Sequence, residues 1–305
     1  MSRPRHSLDQ LLVLDAIIRT GSFSGAAKEL HRVPSAITYA VRNLEESLDL
    51  SLFEKSGRRS VLTEAGHRVL EQARSVLGEA RSLDRLADEI GGEWEPTVRV
   101  VADAALPITK IVKGLRHFLD RDLPTRVRLD IECQDGVLER FQQEHADLML
   151  ALDFDRELGT FALTHLPTLT MVLVVHPSHP LAQQRQIDKG LLTEELELVV
   201  KDSASRFNTK PRGSFMGSEH VIYLPDFHAK RLALLAGVGF GWVPEHVVKD
   251  DLSFGRLVEV SLIDGSRWSY HPRLVHRSTE PLGPAGMLLA RDLKWAFTGD
   301  DPYEG

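Results

Sequence analysis

The sequence has 305 residues, more than one typical hydrophobic core, and this length predicts two or three domains. Its net charge of −7 and its 27% of charged residues are those of an ordinary globular protein, and the longest apolar runs, such as residues 171–175, are too short to span a bilayer. A single cysteine, Cys133, excludes an intrachain disulfide framework and a cysteine-based zinc site.

The charge is unevenly distributed along the chain. Residues 1–63 contain nine Lys or Arg and seven Asp or Glu, a net of +2, so the remaining 242 residues carry −9. This asymmetry suggests that only the front end meets a polyanion. The N-terminus lacks the apolar segment of a signal peptide, so we expect a cytoplasmic protein with no membrane partner.

The front end predicts two short helices. Ser7 begins the first as an N-cap, with Gln10 three residues later as in a capping box, and Gly21 ends it. Ser22 is a fresh N-cap candidate, and a second helix with an alanine-rich face follows as far as Leu30.

A third helix is predicted from Pro34, after the turn at residues 31–33. One face is an apolar stripe, and the other is polar, hydrogen-bonding and without an acid. The stripe is Ile37, Val41, Leu44 and Leu48; the polar face is Ser35, Thr38, Tyr39 and Arg42. A helix of this kind can lie in a DNA major groove, although an ordinary amphipathic surface helix has the same pattern. Two short helices, a tight turn and this third helix make a helix-turn-helix.

Residues 52–63 predict a small β-wing whose polar tip presents Lys55, Arg58 and Arg59. Arginine at a wing tip can follow phosphates or enter the minor groove; the alternative is a solvated basic loop.

A long helix is predicted from Thr63-Glu64 to about Ile90, before Gly91-Gly92. Its apolar residues follow a heptad spacing: Val69, Ala73, Val76, Ala80, Leu83, Ala87 and Ile90. The length favours a helix shared between two chains, and the alternative is one packed on its own domain. A dimer would suit paired DNA half-sites.

One continuous pattern runs through the front end, and looser matches follow in the expected order. It comprises Phe23, Ala26-Ala27, Leu30-His31, Ser35-Ala36-Ile37-Thr38, Leu44-Glu45-Glu46, Leu48, Leu52-Phe53 and Leu62-Thr63-Glu64-Ala65-Gly66, then Asp147-Leu148-Met149-Leu150 and His179-Pro180-Leu181-Ala182. This pattern resembles that of the LysR-type transcriptional regulators, over nearly the full chain.

The resemblance implies an α/β chain with an N-terminal all-α winged helix-turn-helix (1–63), a long dimerising linker helix (64–92) and a two-lobed, periplasmic-binding-protein-like effector domain (93–305). Lobe I would take about 93–166 and 268–305, and lobe II about 167–267. The implied partners are double-stranded promoter DNA, a small-molecule effector, further copies in a homodimer or homotetramer, and RNA polymerase if the protein is an activator.

The expected DNA-contacting residues combine the polar helix face with the arginines and the second N-cap. They are Ser22, Arg32, Pro34, Ser35, Thr38, Tyr39, Arg42, Arg58 and Arg59. Two positions depart from the family pattern. Val33 stands where Ser or Thr is usual and cannot cap the helix, and Tyr39 stands where a basic residue is common.

From Thr97 onward, strand-like and helix-like segments alternate, which predicts an α/β domain with largely parallel sheets. We expect the chain to cross between lobes near residues 165–169 and again near 265–269, with residues 268–276 as a return strand. Ligands of open α/β sheets bind at the carboxyl ends of strands. The expected effector-contacting residues at those ends are Asp103, Ala104, Ala105, Asp153, Asp202, Ser203, Phe227 and His228.

The set of carboxylates at these strand ends (Asp103, Asp153, Asp202 and Asp226) suggests an effector that is neutral or carries donors, such as a nucleoside, a base or an amine. Ala104 and Ala105 stand where the family often has a hydroxyl for an effector carboxylate. Alternatively, most of these Asp residues form turns and cap helices. We expect no catalytic residue, cofactor or metal. A different functional class also fits the pattern, a solute-binding α/β protein whose N-terminal helices serve only for dimerisation.

Overall fold

The computed structural model describes residues 5–56, 59–91, 94–154, 161–204, 216–279 and 281–299. The chain divides into two compact units, residues 1–91 and residues 92–305. Over the described residues, no helix is long and apolar enough to cross a membrane.

The first unit begins with three helices, α1 (Leu8–Thr20), α2 (Phe23–Glu29) and α3 (Pro34–Leu48). Ser7 and Gln10 form the predicted capping box of α1, and Gly21 ends that helix at a left-handed φ of 73°. The Ser22 hydroxyl caps α2 by accepting from Gly25 N. These local signals place the three helices where the sequence predicts them.

The wing is an antiparallel pair, β1 (Phe53–Ser56) and β2 (Arg59–Leu62), in which Phe53 pairs with Leu62. Its tip, with Gly57 and Arg58, and the side chain of Arg59 lie outside the described part of the chain. The long helix α4 (Glu64–Gly91) follows, as predicted.

The first half of α4 packs on its own domain. Leu70, Ala73 and Leu77 are buried in one cluster with Leu11 and Leu14 of α1. Arg74 Nε donates to the buried Asp15 Oδ1 at 2.7 Å. Ala73 of the predicted heptad seam is therefore used within the chain, whereas Leu83, further along, is 67% exposed.

The second unit alternates strands and helices. The strands are β3 (Thr97–Asp103), β4 (Arg126–Glu132), β5 (Leu148–Ala151), β6 (Phe161–His165), β7 (Leu169–Val175), β8 (Leu196–Val200), β9 (His220–Leu224), β10 (Phe240–Pro244), β11 (Val258–Glu259), β12 (Arg267–Tyr270) and β13 (Arg273–Arg277). The helices are α5 (Ile108–Leu119), α6 (Asp135–Gln143), α7 (Lys189–Leu192), α8 (Phe227–Leu235), α9 (Glu245–Ser253) and α10 (Pro284–Thr298), with a 3₁₀ turn at Pro180–Gln183.

These strands form two sheets, which define the two lobes. Lobe I has the order β4-β3-β5-β13-β6, and lobe II has β11-β7-β10-β8-β9 with β12 also paired to β7. In each lobe three neighbouring strands are parallel, β4-β3-β5 and β10-β8-β9, and the others are antiparallel. The predicted α/β class is confirmed, with more antiparallel pairing than expected.

The second crossing between the lobes differs from the predicted one. Residues 268–276 are not one return strand, because β12 pairs with β7 of lobe II whereas β13 pairs with β5 and β6 of lobe I. The crossing therefore lies at His271-Pro272 and not at residues 265–269. Strand β6 and helix α9 are further elements that the sequence analysis did not predict.

Candidate nucleic-acid interface and interlobe cleft

Helix α3 has the two faces that its sequence predicts. Ile37, Val41 and Leu44 are buried against α1, α2 and the wing. Ser35, Thr38, Tyr39 and Arg42 are all exposed on the other side, Tyr39 by 67%. The fold thus collects four hydrogen-bonding side chains on one surface without using them to fill the core.

The entry to α3 lacks a side-chain cap. Val33 occupies the N-cap position with extended backbone (φ −79°, ψ 145°), makes no capping hydrogen bond and is 63% exposed. Pro34 holds the first helical position, where its missing N–H costs nothing. The Thr38 hydroxyl donates to Pro34 O at 3.1 Å, which leaves its oxygen lone pairs able to accept from DNA.

Two of the predicted DNA-contacting arginines, Arg32 and Arg42, have carboxylate partners. Arg42 Nε lies 2.8 Å from Glu46 Oε1, and Arg32 makes two hydrogen bonds to Asp9, at 2.5 and 2.8 Å. The hydrogen bond from Arg32 lowers the pKa of Asp9. Because Glu46 lies eleven residues after Ser35, it belongs to the same helix face. The expectation that this face carries no acid is therefore wrong.

Glu45, which was not among the expected DNA contacts, fixes the position of α3 relative to the wing. Glu45 Oε1 accepts from the backbone N–H groups of Leu52 and Phe53, at 2.6 and 3.2 Å, which ties α3 to the start of the wing. Ser22, an expected DNA contact, is exposed while its hydroxyl caps α2. The expected contacts Arg58 and Arg59 fall outside the described side chains.

In the second unit, the first of the predicted cleft loops follows β3. Asp103 is buried and accepts from Ala105 N at 2.8 Å and from Gln134 N at 3.2 Å. Its burial raises the pKa of the carboxyl group to about 6. Ala105 is also buried, and its carbonyl accepts from the Tyr270 hydroxyl at 2.9 Å. Asp103 and Ala105 therefore hold the loop together, and Ala104 is half-buried beside them.

The loop after β8 in lobe II reaches across to the start of α6 in lobe I. Asp202 Oδ1 accepts from Gly136 N at 3.2 Å, and Ser203 Oγ accepts from Cys133 N at 2.8 Å. Gln134 Nε2 donates to Val200 O at 3.4 Å. The structure thus brings Asp202 and Ser203 near Asp103, and it shows Gln134 and Gly136 as partners that no sequence pattern predicted.

Carboxylates from both lobes surround the single cysteine. Burial is the main reason that the Cys133 thiol pKa rises to about 12, and the negative charges of Asp103, Glu132, Asp202 and Asp226 raise it further. Such a thiol is not the thiolate that redox chemistry requires. Over the described residues, no group of three or more His, Cys, Asp or Glu is arranged to hold a metal ion.

The remaining predicted cleft residues have different settings. Asp153 supports the second crossing, because it accepts from His271 N at 2.7 Å and its own N–H donates to His271 O. At the start of α8, Phe227 is half-buried and His228 is exposed, after Asp226 caps the helix by accepting from Ala229 N. Several of these Asp residues thus do form turns and caps, as the alternative interpretation held.

Comparisons with known proteins agree for both units. A family model described as "Bacterial regulatory helix-turn-helix protein, lysR family" matches residues 8–67, and one described as "LysR substrate binding domain" matches residues 91–293. The chain is 34% identical over 257 residues to the Escherichia coli (strain K12) protein named "Probable HTH-type transcriptional regulator YhaJ", covering 84% of this chain and 86% of that protein.

Other matches support the same assignment. The E. coli (strain K12) regulator PunR is 31% identical over 259 residues, covering 83% of this chain and 82% of that protein. The crystal structure of ArgP from Mycobacterium tuberculosis shares the fold, with a TM-score of 0.64 at 18% identity over 95% of this chain and 97% of that chain. These matches support a DNA-binding regulator and not a solute-binding protein with N-terminal helices that only dimerise.

Proposed function

This chain belongs to the LysR family of bacterial transcriptional regulators, and we propose which of its side chains contact DNA and which surround the effector. Its N-terminal unit is a DNA-binding domain, and its C-terminal unit is an effector-binding domain. As a regulator of transcription it acts in the cytoplasm, where the DNA is.

The DNA contact is made by the exposed face of α3. Ser35, Thr38 and Tyr39 meet base edges or phosphates, and Arg42 meets a phosphate after exchanging Glu46 for it. Arg32, Arg58 and Arg59 add phosphate contacts, and Ser22 and Pro34 border the surface. The observation that carries this proposal is the exposure of all four polar side chains of α3 on one face.

A binding selection against genomic fragments, followed by footprinting of the enriched promoters, tests the interface. Arg42→Ala should weaken binding to every sequence, whereas Ser35→Ala and Thr38→Ala should relax sequence preference by roughly 1–3 kcal/mol per lost base contact. Ser47→Ala is the matched control, because Ser47 lies on the same helix away from this face and its hydroxyl donates to Leu44 O. Unchanged footprints for all three variants would overturn the assignment.

We infer that the effector occupies the cleft between the lobes, at the strand ends that carry Asp103, Ala104, Ala105, Asp153, Asp202, Ser203, Phe227 and His228. Several carboxylates, and no hydroxyl in the first loop, favour an effector that is neutral or carries hydrogen-bond donors over a simple dicarboxylate. A thermal-shift screen of nucleosides, bases, amines and di-acids tests this class. Stabilisation by di-acids alone would contradict it.

The regulator acts as a homodimer or homotetramer that uses α4, and an activator version would also contact RNA polymerase. Val69, Val76 and Leu83 recur every seven residues, and Leu83 leaves an apolar side chain 67% exposed. Leu83→Glu should shift the mass measured by light scattering at micromolar concentration towards the monomer. Leu191→Glu, at an exposed leucine of the effector domain, should leave the mass unchanged.

A further inference from the structure

The two lobes of the effector domain are joined by hydrogen bonds that leave no space for a ligand between the partners. Three hydrogen bonds join Cys133 and Ser203. Ser203 N and Ser203 Oγ donate to Cys133 O at 3.3 and 3.2 Å, and Cys133 N donates to Ser203 Oγ at 2.8 Å. Asp202 and Val200 accept from Gly136 and Gln134. Asp202 Oδ1 and Ser203 Oγ, two lobe II atoms at the expected effector site, thus accept hydrogen bonds from lobe I.

Ser203 can pack against α6 because residue 136 is glycine. A Cβ atom at Gly136 would overlap Ser203 Oγ and would lie 2.9 Å from Ala204 N, closer than real Cβ contacts come. The φ of Gly136 is not in the left-handed range, so alanine is acceptable to the backbone there. The glycine therefore serves the contact between the lobes and not the local geometry of α6.

The lobe I side of this contact is also strained. Gln134 has φ 54° and ψ −122°, a conformation that residues with a side chain rarely adopt. Such strain persists only where surrounding contacts hold it, and here its N–H bonds Asp103 while its side chain reaches Val200 O. Opening the cleft would remove the bond to Val200.

We propose that Cys133, Gln134 and Gly136 of lobe I and Asp202 and Ser203 of lobe II form a latch that holds the two lobes together across the cleft. The inference rests on the proposed function in one respect, namely that this cleft is the effector site. Because the effector and lobe I compete for Asp202 and Ser203, the effector binds by parting the lobes at the latch.

Cys133 provides a built-in reporter of latch opening, because it is the only thiol in the chain and is 7% exposed. Its reactivity is also suppressed by Asp202 and Asp226, two carboxylates of lobe II. Parting the lobes moves these charges away and admits solvent, and both changes accelerate the reaction of the thiol with a disulfide reagent.

The experiment measures the rate at which 5,5′-dithiobis(2-nitrobenzoic acid) labels the full-length, effector-free protein under native conditions. Gly136→Ala should react at least tenfold faster than wild type, because its methyl group displaces Ser203. Gly190→Ala is the matched control: Gly190 is an exposed helical glycine of lobe II, and its rate should equal that of wild type. Ser203→Ala, which removes the acceptor of Cys133 N–H, should also react faster.

A folded Gly136→Ala variant that reacts at the wild-type rate would overturn the latch. If that variant does not fold, Ser203→Ala decides in the same way. Urea-unfolding midpoints are measured in parallel: opening of the lobes leaves them at the control value, and a fall that accounts for the faster labelling would also overturn the proposal. The labelling experiment contains no effector, so a result against the latch does not count against the proposed effector site. A result against the effector site would instead be the absence of stabilisation by any compound in the thermal-shift screen.

Discussion

The exposed face of α3 and the cleft between the lobes both collect polar side chains, but they use them differently. On α3, Ser35 and Tyr39 are exposed and belong to neither core cluster of their domain. In the cleft, Asp103 accepts from Gln134 N and Ser203 Oγ accepts from Cys133 N, so both side chains join loops that follow different strands. A surface that meets DNA can leave its groups to the solvent, whereas a cleft that opens and closes must satisfy its groups in both states.

Ser35→Glu gives the largest expected effect on the α3 side of this comparison. A carboxylate on the face proposed to contact DNA should cost about 3 kcal/mol or more, a loss of DNA affinity of at least roughly 100-fold. The urea-unfolding midpoint should stay within error of wild type, because Ser35 is exposed. Fluorescence anisotropy with a promoter fragment at fixed salt measures the affinity.

Gln142→Glu controls for net charge, since it adds the same charge at an exposed position of the effector domain. Its DNA affinity should remain within about twofold of wild type. Equal losses in both variants would mean that charge alone, and not the position of Ser35, controls binding.

Lobe II contains an ionisable side chain that is buried, in contrast to the exposed polar side chains of α3. Lys230 of α8 is 1% exposed and lies over β10, where a Cβ atom on Gly241 would be 2.7 Å from its Cε. Burial lowers the pKa of this amine to about 7, against the opposing field of the buried Glu197 carboxylate. Because the unfolded chain keeps the proton up to about 10.5, it binds more protons than the folded protein above pH 7, and stability rises with pH there.

The rise should amount to about 2 kcal/mol between pH 7 and pH 9. We measure the free energy of urea unfolding at pH 7 and at pH 9 for wild type and for Lys230→Met. The increase from pH 7 to pH 9 should be larger in wild type than in Lys230→Met by that amount. Lys249→Met, at an exposed lysine of α9, should behave as wild type. Parallel pH profiles for wild type and Lys230→Met would show that the amine keeps an ordinary pKa.

Glu46→Gln tests whether the hydrogen bond between Arg42 and Glu46 limits DNA binding by the α3 face. Neutralising Glu46 removes a negative charge from the face proposed to contact DNA and frees Arg42, so DNA affinity should increase by about 3- to 10-fold, or roughly 1 kcal/mol. Glu71→Gln, at an exposed position of α4, should change affinity less. A decrease in affinity with Glu46→Gln would indicate that Glu46 positions Arg42 for its contact.

The same contrast explains what the sequence could predict. Caps such as Ser7, the Pro34 start and the buried stripe of α3 follow from neighbours within one helix, so periodicity and capping rules found them. Pro272 is a local signal that a strand is interrupted between Tyr270 and Arg273. That β12 and β13 belong to different sheets depends on strands about a hundred residues away in the chain, and no local pattern shows it. The strand-end rule placed Asp103 and Asp202 in one region. It could not say that Gln134 and Gly136 would satisfy them.

Val33→Ser should give the smallest effect and tests how far local rules govern α3. Val33 already has the extended backbone of an N-cap residue, and its side chain packs little, being 63% exposed. A serine hydroxyl there can accept from the N–H of the second or third helical residue and should stabilise the N-terminal unit by about 0.5–1 kcal/mol. Urea unfolding followed by far-UV circular dichroism measures this gain, with Val238→Ser, at an exposed loop valine, as control. If Val33→Ser stabilises the domain but weakens DNA binding, the valine contacts the DNA; if it does neither, Pro34 alone fixes the start of the helix.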